Sequence, residues 1–296
     1  MSDTAITLRR HLEAAHGLRT VVRTMKALAA SSIGQYERAV AALADYERAV
    51  RSGLGVCLRG SPDPGAAPTT GPVGAVVFGS DQGLVGSFND DLAAFVAAEL
   101  AGSPGPPRIW AVGERVHAGL ATHGLRPGVL LSVPGTVHGI APLVGQILLE
   151  TEADRAGGAL HIFHHQPRHG VGHRPARQRL LPLDAAWRAD LLAEPWPTRT
   201  LPEALGDLDA TLRALVGEYL FVSLYRACAE SLASENASRL AAMQRAERNI
   251  DQRLDELGRA FNRLRQANID AELFDVIAGF EALSGPPPPG GRAPRS

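Results

Sequence analysis

A cluster of histidines is the first feature of this sequence that could carry chemistry. Its members are His161, His164, His165, His169 and His173. Imidazole nitrogens bind zinc and nickel, so a metal site is one interpretation of this stretch. No cysteine lies nearby, and the glycine, proline and arginine residues around the histidines favour a solvent-exposed loop between two strands. Both interpretations stay open at this point, and no metal ligand is assigned.

A glycine-rich stretch at residues 79–89 is the second candidate, because it follows a short apolar run and precedes a helical segment. Loops in that place cradle the phosphates of dinucleotides in many α/β proteins. The glycines do not have the G-x-G-x-x-G spacing, however, and no acidic residue closes a strand about 20 residues later. The stretch is therefore interpreted as a turn that positions a helix, and the sequence predicts no cofactor.

The residues of the common catalytic centres are missing. Lys26 is the only lysine and has no glycine-rich loop before it, which argues against a Walker A, kinase or Schiff-base lysine. The G-x-S-x-G motif of serine hydrolases does not occur. Cys57 and Cys228 are too few for a disulfide framework or a four-cysteine zinc site, so we expect them to pack as small apolar residues.

The composition is that of a folded protein that does not bind nucleic acid. Of 296 residues, 45% are hydrophobic and 21% are charged, which is enough to build a core. Thirty basic residues against 31 acidic ones leave a net charge of −1, whereas free-standing nucleic-acid binders carry a basic excess. No apolar run approaches the ~18–20 residues that span a bilayer, and no secretion signal opens the chain. We expect a soluble, cytoplasmic protein.

A long amphipathic segment must occupy residues 4–58. Its apolar residues recur at steps of three and four, which is the stripe of an amphipathic helix or a coiled-coil strand. They are Leu8, Leu12, Ala15, Leu18, Val22, Met25, Ala29, Ile33, Tyr36, Val40 and Leu43. Some 55 residues make a rod of roughly 80 Å, which needs a partner along its length.

A second such segment runs over residues 205–283, which would extend roughly 120 Å as one helix. The simplest arrangement pairs the two rods as an antiparallel coiled coil, and part of the longer rod should project alone. Charged residues on the outward faces, Arg239 among them, are interpreted as a solvated surface.

Between the rods, residues 73–197 alternate short apolar runs with amphipathic stretches, which predicts strands and helices in turn. Short links between them favour a mostly parallel, Rossmann-like sheet covered by helices. The predicted fold is thus an antiparallel two-helix coiled coil with an inserted α/β domain. Its parts are a helix at 1–60, the α/β domain at 73–197, a helix at 203–284 and a disordered Pro/Gly tail at 285–296.

Four short stretches carry a resemblance to a known family. They are residues 24–31 (TMKALAAS), 80–89 (SDQGLVGSFN), 232–243 (LASENASRLAAM) and 265–269 (RQANI). With them, nearly the whole chain resembles the gamma subunit of rotary F-type ATP synthases. The sequence departs from the family pattern at Gln82, Val85, Ser87 and Asp270, which indicates a divergent bacterial branch.

The resemblance implies a central rotor shaft that couples ion flow through a membrane ring to ATP synthesis or hydrolysis. The implied partners are the alpha and beta subunits of the catalytic hexamer, the epsilon subunit and the membrane c-ring. The chain itself is expected to have no catalytic site, cofactor or metal. Its expected place is the cytoplasmic face of the bacterial plasma membrane, as a peripheral protein.

The resemblance also implies five rotor–stator contacts. Met25 and Lys26 match positions where the shaft faces an acidic loop of a catalytic subunit, although a solvated lysine is an equal alternative. Arg239, Gln266 and Asp270 match a polar patch that binds a loop of a catalytic subunit. Gln266 and Asp270 share a helix face, whereas Arg239 lies ~7.5 turns away. Asp270 should pair with an arginine such as Arg265 or weaken contact with an acidic loop.

Two other function classes stay open on the sequence alone. A Rossmann-type enzyme would use the α/β domain and bind a nucleotide there. A coiled-coil scaffold unrelated to ATPases would need only the two rods.

Overall fold

A computed structural model describes residues 3–60, 71–154, 158–168, 172–196, 199–200, 202–203, 206–283 and 285. The helices are α1 (Asp3–Gly60), α2 (Phe88–Leu100), α3 (Glu114–Thr122), α4 (Ile140–Asp154), α5 (Ala185–Ala193) and α6 (Leu208–Leu283). The strands are β1 (Gly74–Phe78), β2 (Arg108–Val112), β3 (Val129–Leu131), β4 (Leu160–Pro167) and β5 (His173–Leu181). His169 and nearly all of the predicted Pro/Gly tail lie outside the described residues.

The chain divides into two compact units, and the long helices α1 and α6 contribute residues to both. One unit comprises Met1–Thr24 and Arg245–Ser296, and the other comprises Met25–Gln244. Both long helices confirm the segments that the apolar stripes predict, with 58 and 76 residues. No helix in the described part of the chain is long and apolar enough to cross a membrane.

The larger unit contains one five-stranded sheet with the strand order β3-β2-β1-β4-β5. Strands β1 to β4 are parallel and β5 pairs antiparallel with β4, so the predicted mostly parallel sheet is confirmed. All five residues of β1 are buried, as expected for an apolar run in a sheet that is covered on both faces.

Each face of the sheet has its own helical cover. On one face, Ala75 and Val77 pack against α2 and α3. On the other face, Val76 and Phe78 belong to a core that includes α4, Tyr36 of α1 and the stretch of α6 from Leu224 to Ala233. The long helices therefore form part of the core of the α/β domain. Cys57 and Cys228 are buried, as predicted.

One short helix in this unit is absent from the sequence-based prediction. Helix α5 begins after Asp184, whose carboxylate accepts a hydrogen bond from the backbone N–H of Trp187 at 3.0 Å. The Trp187 ring meets the ring of Tyr219 on α6 edge to face, at a centroid distance of 5.3 Å. An aspartate cap followed by AAWRADLLA was a readable helix signal.

Candidate functional site

The edge of the sheet where β1 and β4 end is the usual ligand site of an open parallel sheet, because the strand order reverses there. In this chain helix α6 lies over that edge. The Ser231 hydroxyl donates to the carbonyl oxygen of Phe78 at 2.8 Å, and the Ser234 hydroxyl donates to that of His165 at 3.2 Å. Serine hydroxyl groups of α6 thus hydrogen-bond the carbonyl oxygens at the two strand ends, where a nucleotide would bind in an open sheet.

The glycine-rich stretch after β1 forms a closed turn. The Ser80 N–H donates to Asn89 Oδ1 at 3.0 Å, and Asn89 Nδ2 donates to Ser80 Oγ at 2.8 Å. Ser80 Oγ donates in turn to the carbonyl oxygen of Gln82 at 2.9 Å. Since Asn89 lies in the first turn of α2, these bonds position that helix, as the sequence predicts.

Asp81 ties this turn to two other elements. Its Oδ1 accepts from the N–H of Glu114 at 3.0 Å, and its Oδ2 accepts from the N–H of Val133 at 2.9 Å. Glu114 is the first residue of α3, so the carboxylate also lies at the positive end of a helix dipole. Both carboxylate oxygens are engaged in fixing the loops around the sheet edge.

Leu84 stands out in the same turn. It has φ of +64°, a backbone conformation that costs roughly 1–2 kcal/mol for a residue other than glycine, and it is 61% exposed. Together with Met25 and Arg115 it lines an open cavity of about 720 Å³. A strained backbone that presents an apolar side chain to solvent marks this turn as a candidate contact surface.

The interpretation of this stretch as a solvent-exposed loop is wrong for His161, His164, His165 and His173, the four histidines of the cluster that the structure describes. His161, His164 and His165 lie on β4 and are 4%, 1% and 0% exposed. Burial follows from the position of β4 between β1 and β5, with helices on both faces. Among the described residues, no group of three or more His, Cys, Asp or Glu side chains could hold a metal ion.

Two of the histidines form a hydrogen-bonded chain. His165 Nε2 lies 2.8 Å from the carbonyl oxygen of Phe88, which can only accept, so this nitrogen carries a hydrogen. His165 Nδ1 lies 2.9 Å from His173 Nδ1, and His173 Nε2 lies 2.7 Å from the Ser238 hydroxyl. In the neutral pair, His173 Nδ1 therefore donates to His165 Nδ1 and the serine donates to His173 Nε2.

Burial keeps these imidazoles neutral. The pKa of His165 falls to about 4, mainly because burial disfavours its charged form, against the raising effect of its bond to Phe88. The pKa of His161 also falls to about 4, first through burial and second through the positive charge of Arg177. Burial also lowers the pKa of His173.

Three of the predicted contact residues lie in the larger unit. Met25 and Lys26 are half-buried on α1. Arg239 is not on a solvated face, and that interpretation is wrong: its side chain is only 12% exposed, and its Nη2 lies 2.6 Å from Glu235 Oε1. Burial raises the pKa of Glu235, although the charge of Arg239 acts in the opposite direction.

Gln266 and Asp270 belong to the other unit. Both are exposed and lie one turn apart on α6, so they share a face as predicted. Within the described ranges, Asp270 makes no ion pair with Arg265.

The end of α6, in that same unit, carries an exposed apolar stripe that sequence reasoning did not single out. Its members are Ile269, Leu273, Phe274, Val276, Ile277 and Phe280, which are 46–71% exposed. At about 100° per residue they fall within one half of the helix circumference. An exposed apolar stripe of this kind on one face of a helix is a candidate contact surface.

Comparison with known proteins places the chain in a family. A family model described as ATP synthase matches residues 4–283. The ATP synthase gamma chain of Leifsonia xyli is 26% identical over 93% of this chain and 96% of its own length. The ATP synthase gamma chain of Moorella thermoacetica is also 26% identical, over 93% of this chain and 98% of its own length.

Solved structures agree in fold. The rotor of the Euglena gracilis mitochondrial ATP synthase contains a chain with a TM-score of 0.61 at 16% identity, with 90% of this chain and 99% of that chain covered. The central stalk and c-ring of the Tetrahymena thermophila mitochondrial ATP synthase contain one with a TM-score of 0.55 at 20% identity, covering 76% and 99%. Since the family model spans almost the whole sequence, the chain belongs to the ATP synthase gamma chain family.

Proposed function

We propose that this chain is the central rotor shaft of an F-type ATP synthase, coupling ion translocation through the membrane ring to ATP synthesis or hydrolysis in the catalytic hexamer. The observation that carries the proposal is the match of the family model over residues 4–283, with relatives aligned over nearly their full length. The similar rotor and central-stalk chains agree with it in fold.

The shaft would be an antiparallel coiled coil of α1 and α6. In the smaller unit, Arg19 pairs with Asp251 at 3.3 Å and Arg23 with Glu247 at 2.8 Å. In the larger unit, Arg226 of α6 pairs with Glu47 of α1 at 2.7 Å. In the two ion pairs of the smaller unit, the later residue of α1 (Arg23) pairs with the earlier residue of α6 (Glu247). This order supports the antiparallel direction.

The exposed apolar stripe at the end of α6 supports an enclosing partner. Six large apolar side chains in water are costly, at about 25 cal/mol per Å² of apolar surface, so this stripe should be covered in the working assembly. We propose that the alpha and beta subunits enclose this stripe. The c-ring and the epsilon subunit are the further proposed partners, and the proposed location is peripheral, at the cytoplasmic face of the plasma membrane.

The chain would carry no catalytic site of its own, and the nucleotide pockets would belong to its partners. The position of α6 over the ends of β1 and β4 supports this, because its serine hydroxyls occupy the strand-end carbonyls. Equilibrium dialysis of the isolated chain against ATP or NAD should detect no binding. Binding at micromolar concentration would instead support the Rossmann-type enzyme.

The direct test is assembly with the alpha and beta subunits encoded in the same genome. Co-purification should yield a complex of the tagged chain with both subunits, and that complex should hydrolyse ATP. A scaffold unrelated to ATPases would leave the two subunits unbound. Adding the membrane ring should make hydrolysis drive ion transport, and its failure to do so would contradict the coupling role.

The predicted polar patch gives a sharper test. Combining Arg239→Ala with Gln266→Ala should lower ATP turnover of the complex at least tenfold, because a hydrogen bond to a charged group contributes roughly 1.5–3 kcal/mol and about 1.4 kcal/mol is a factor of ten in rate. Assembly should be retained, and Asp270→Thr should be tolerated as the control. Wild-type turnover in the double variant, or loss of assembly, would remove Arg239 and Gln266 from the proposed contacts.

Lys26 should matter less. Lys26→Ala is expected to change turnover by less than tenfold, because one partly exposed ion pair contributes only about 0–1 kcal/mol. Steady-state hydrolysis by the assembled complex measures the effect, with Lys26→Arg as the charge-conserving control. A tenfold or larger decrease in Lys26→Ala alone would show that this lysine has a stronger role than a peripheral contact.

A further inference from the structure

The joint between the α/β domain and helix α6 includes four small apolar side chains of the helix. Ala227, Cys228, Ala229 and Ala233 of α6 are all buried in the core that they share with the sheet. Apolar burial is non-directional and roughly proportional to area, so it holds two surfaces together without defining one angular position. Small side chains also interlock little. Directional contacts across the joint therefore help to define how the sheet is oriented on the helix, and the hydrogen bonds from Ser231 and Ser234 to the strand ends are two of them.

A chain of polar and charged side chains crosses this joint. His164 Nε2 on β4 lies 3.0 Å from Glu230 Oε2 on α6, and the two side chains are 1% and 12% exposed. Glu230 Oε1 accepts from Arg226 Nε at 2.9 Å, and Arg226 Nη1 donates to Glu47 Oε2 of α1 at 2.7 Å. One carboxylate is thus held by the sheet on one side and by the helix pair on the other.

The charges in this chain satisfy each other. The pKa of Glu230 is lowered: burial alone would raise it, but the hydrogen bonds from His164 and Arg226 outweigh that effect. The ionised carboxylate only accepts, so His164 Nε2 carries the hydrogen between them. A displacement of the sheet along or around α6 would break the bond between His164 Nε2 and Glu230 Oε2, because Arg226 moves with the helix and His164 does not. A buried polar group that loses its hydrogen-bond partner is strongly disfavoured.

We propose that Glu230 is a positioning residue that fixes the angle between the α/β domain and helices α1 and α6. This inference rests on the proposed rotor function. In a rotor, the hexamer turns the helices and the membrane ring loads the α/β domain, so torque must pass through this joint. The His164–Glu230–Arg226–Glu47 chain stiffens the joint, because twisting the sheet on α6 breaks the bond between His164 and Glu230, while Arg226 and Glu47 hold that carboxylate on the helix pair.

The test measures torsional stiffness in the assembled hexamer. A probe bead would be attached through Leu149→Cys, since Leu149 is 71% exposed on α4 while the two native cysteines are buried. Thermal fluctuation of the bead angle at rest reports stiffness, because the angular variance is inversely proportional to it. We expect Glu230→Leu to widen the variance at least 1.5-fold with ATP hydrolysis little changed, and to lower the melting temperature of the complex, because His164 Nε2 loses its buried partner.

Glu218→Gln is the matched control. Glu218 also lies on α6 and accepts a hydrogen bond from a residue of α1, Tyr46, at 2.7 Å, but this bond does not include the sheet. Its replacement should leave the variance unchanged. If Glu230→Leu does not assemble, the double replacement with His164→Leu removes both buried polar groups and keeps the experiment informative. Wild-type variance in whichever variant assembles would overturn the proposal.

The outcome is separable from failure of the proposed function. If the wild-type chain forms no rotating complex with the alpha and beta subunits, the rotor proposal itself fails. If the wild-type complex rotates and the Glu230 variants fluctuate as it does, only the role of Glu230 fails. A variance that widens equally in Glu218→Gln would also overturn it, because the effect would then not depend on the joint with the sheet.

Discussion

Gly113→Ala is expected to destabilise the α/β domain by several kcal/mol. Gly113 has φ of +116°, and a Cβ there would lie 2.7 Å from the backbone N, C and O atoms of Ser80. Ser80 cannot move away easily, because its N–H donates to Asn89 and its carbonyl accepts from the N–H of Arg115 at 2.9 Å. Backbone strain and overpacking each cost roughly 1–3 kcal/mol, a large share of a typical stability of about 5–15 kcal/mol.

Urea unfolding of the full chain measures this effect, and two other glycines serve as controls. Gly124 also has a positive φ, of +78°, but no atom lies within 4 Å of a Cβ placed there. Gly124→Ala should therefore show only the backbone strain of about 1–2 kcal/mol. Gly145, in the middle of α4 with open space around it, should tolerate alanine or gain up to about 1 kcal/mol. Equal losses at Gly113 and Gly124 would contradict the role of close packing against Ser80.

Acidification is expected to destabilise the chain well above the pH at which carboxylates protonate. His161 and His165 have pKa values of about 4 in the folded state, against 6.5 in the unfolded chain. Between these values the unfolded state binds more protons, so the free energy of unfolding falls as the pH falls. The stabilisation is fully present above pH 6.5 and is lost by about pH 4. From pH 7 to pH 5 each histidine should remove roughly 2 kcal/mol.

The free energy of unfolding, measured in urea at several pH values, tests this dependence. His161→Gln and His165→Gln should each flatten the decline between pH 6.5 and pH 5, because glutamine does not titrate. His11→Gln is the control at an exposed position and should leave the decline as it is in the wild type. A free energy that stays constant between pH 7 and pH 5 would show that the two imidazoles are not held neutral by burial.

The helices and strands of this fold can be predicted from the sequence because each follows from a local pattern of residues. Apolar residues at steps of three and four indicate α1 and α6 within a few residues of their ends, and the short apolar runs indicate β1, β2 and β4. The short motifs are local as well, and they indicate the family from residues such as Met25 and Gln266. Each of these signals depends only on neighbours in sequence, so no tertiary information is needed.

The arrangement around the sheet edge depends on contacts between distant residues. Local patterns are sufficient to predict two long amphipathic helices, an inserted mostly parallel α/β domain and membership of the gamma chain family. Packing between distant parts of the chain, by contrast, places His164 against Glu230, buries the pair of Glu235 and Arg239, and brings the serines of α6 to the strand ends. The sequence HIFHH does not indicate whether its strand lies at an edge or in the middle of a sheet, so it does not predict that a histidine is buried. Burial is set by which strands and helices pack around it, and that is a property of the assembled fold.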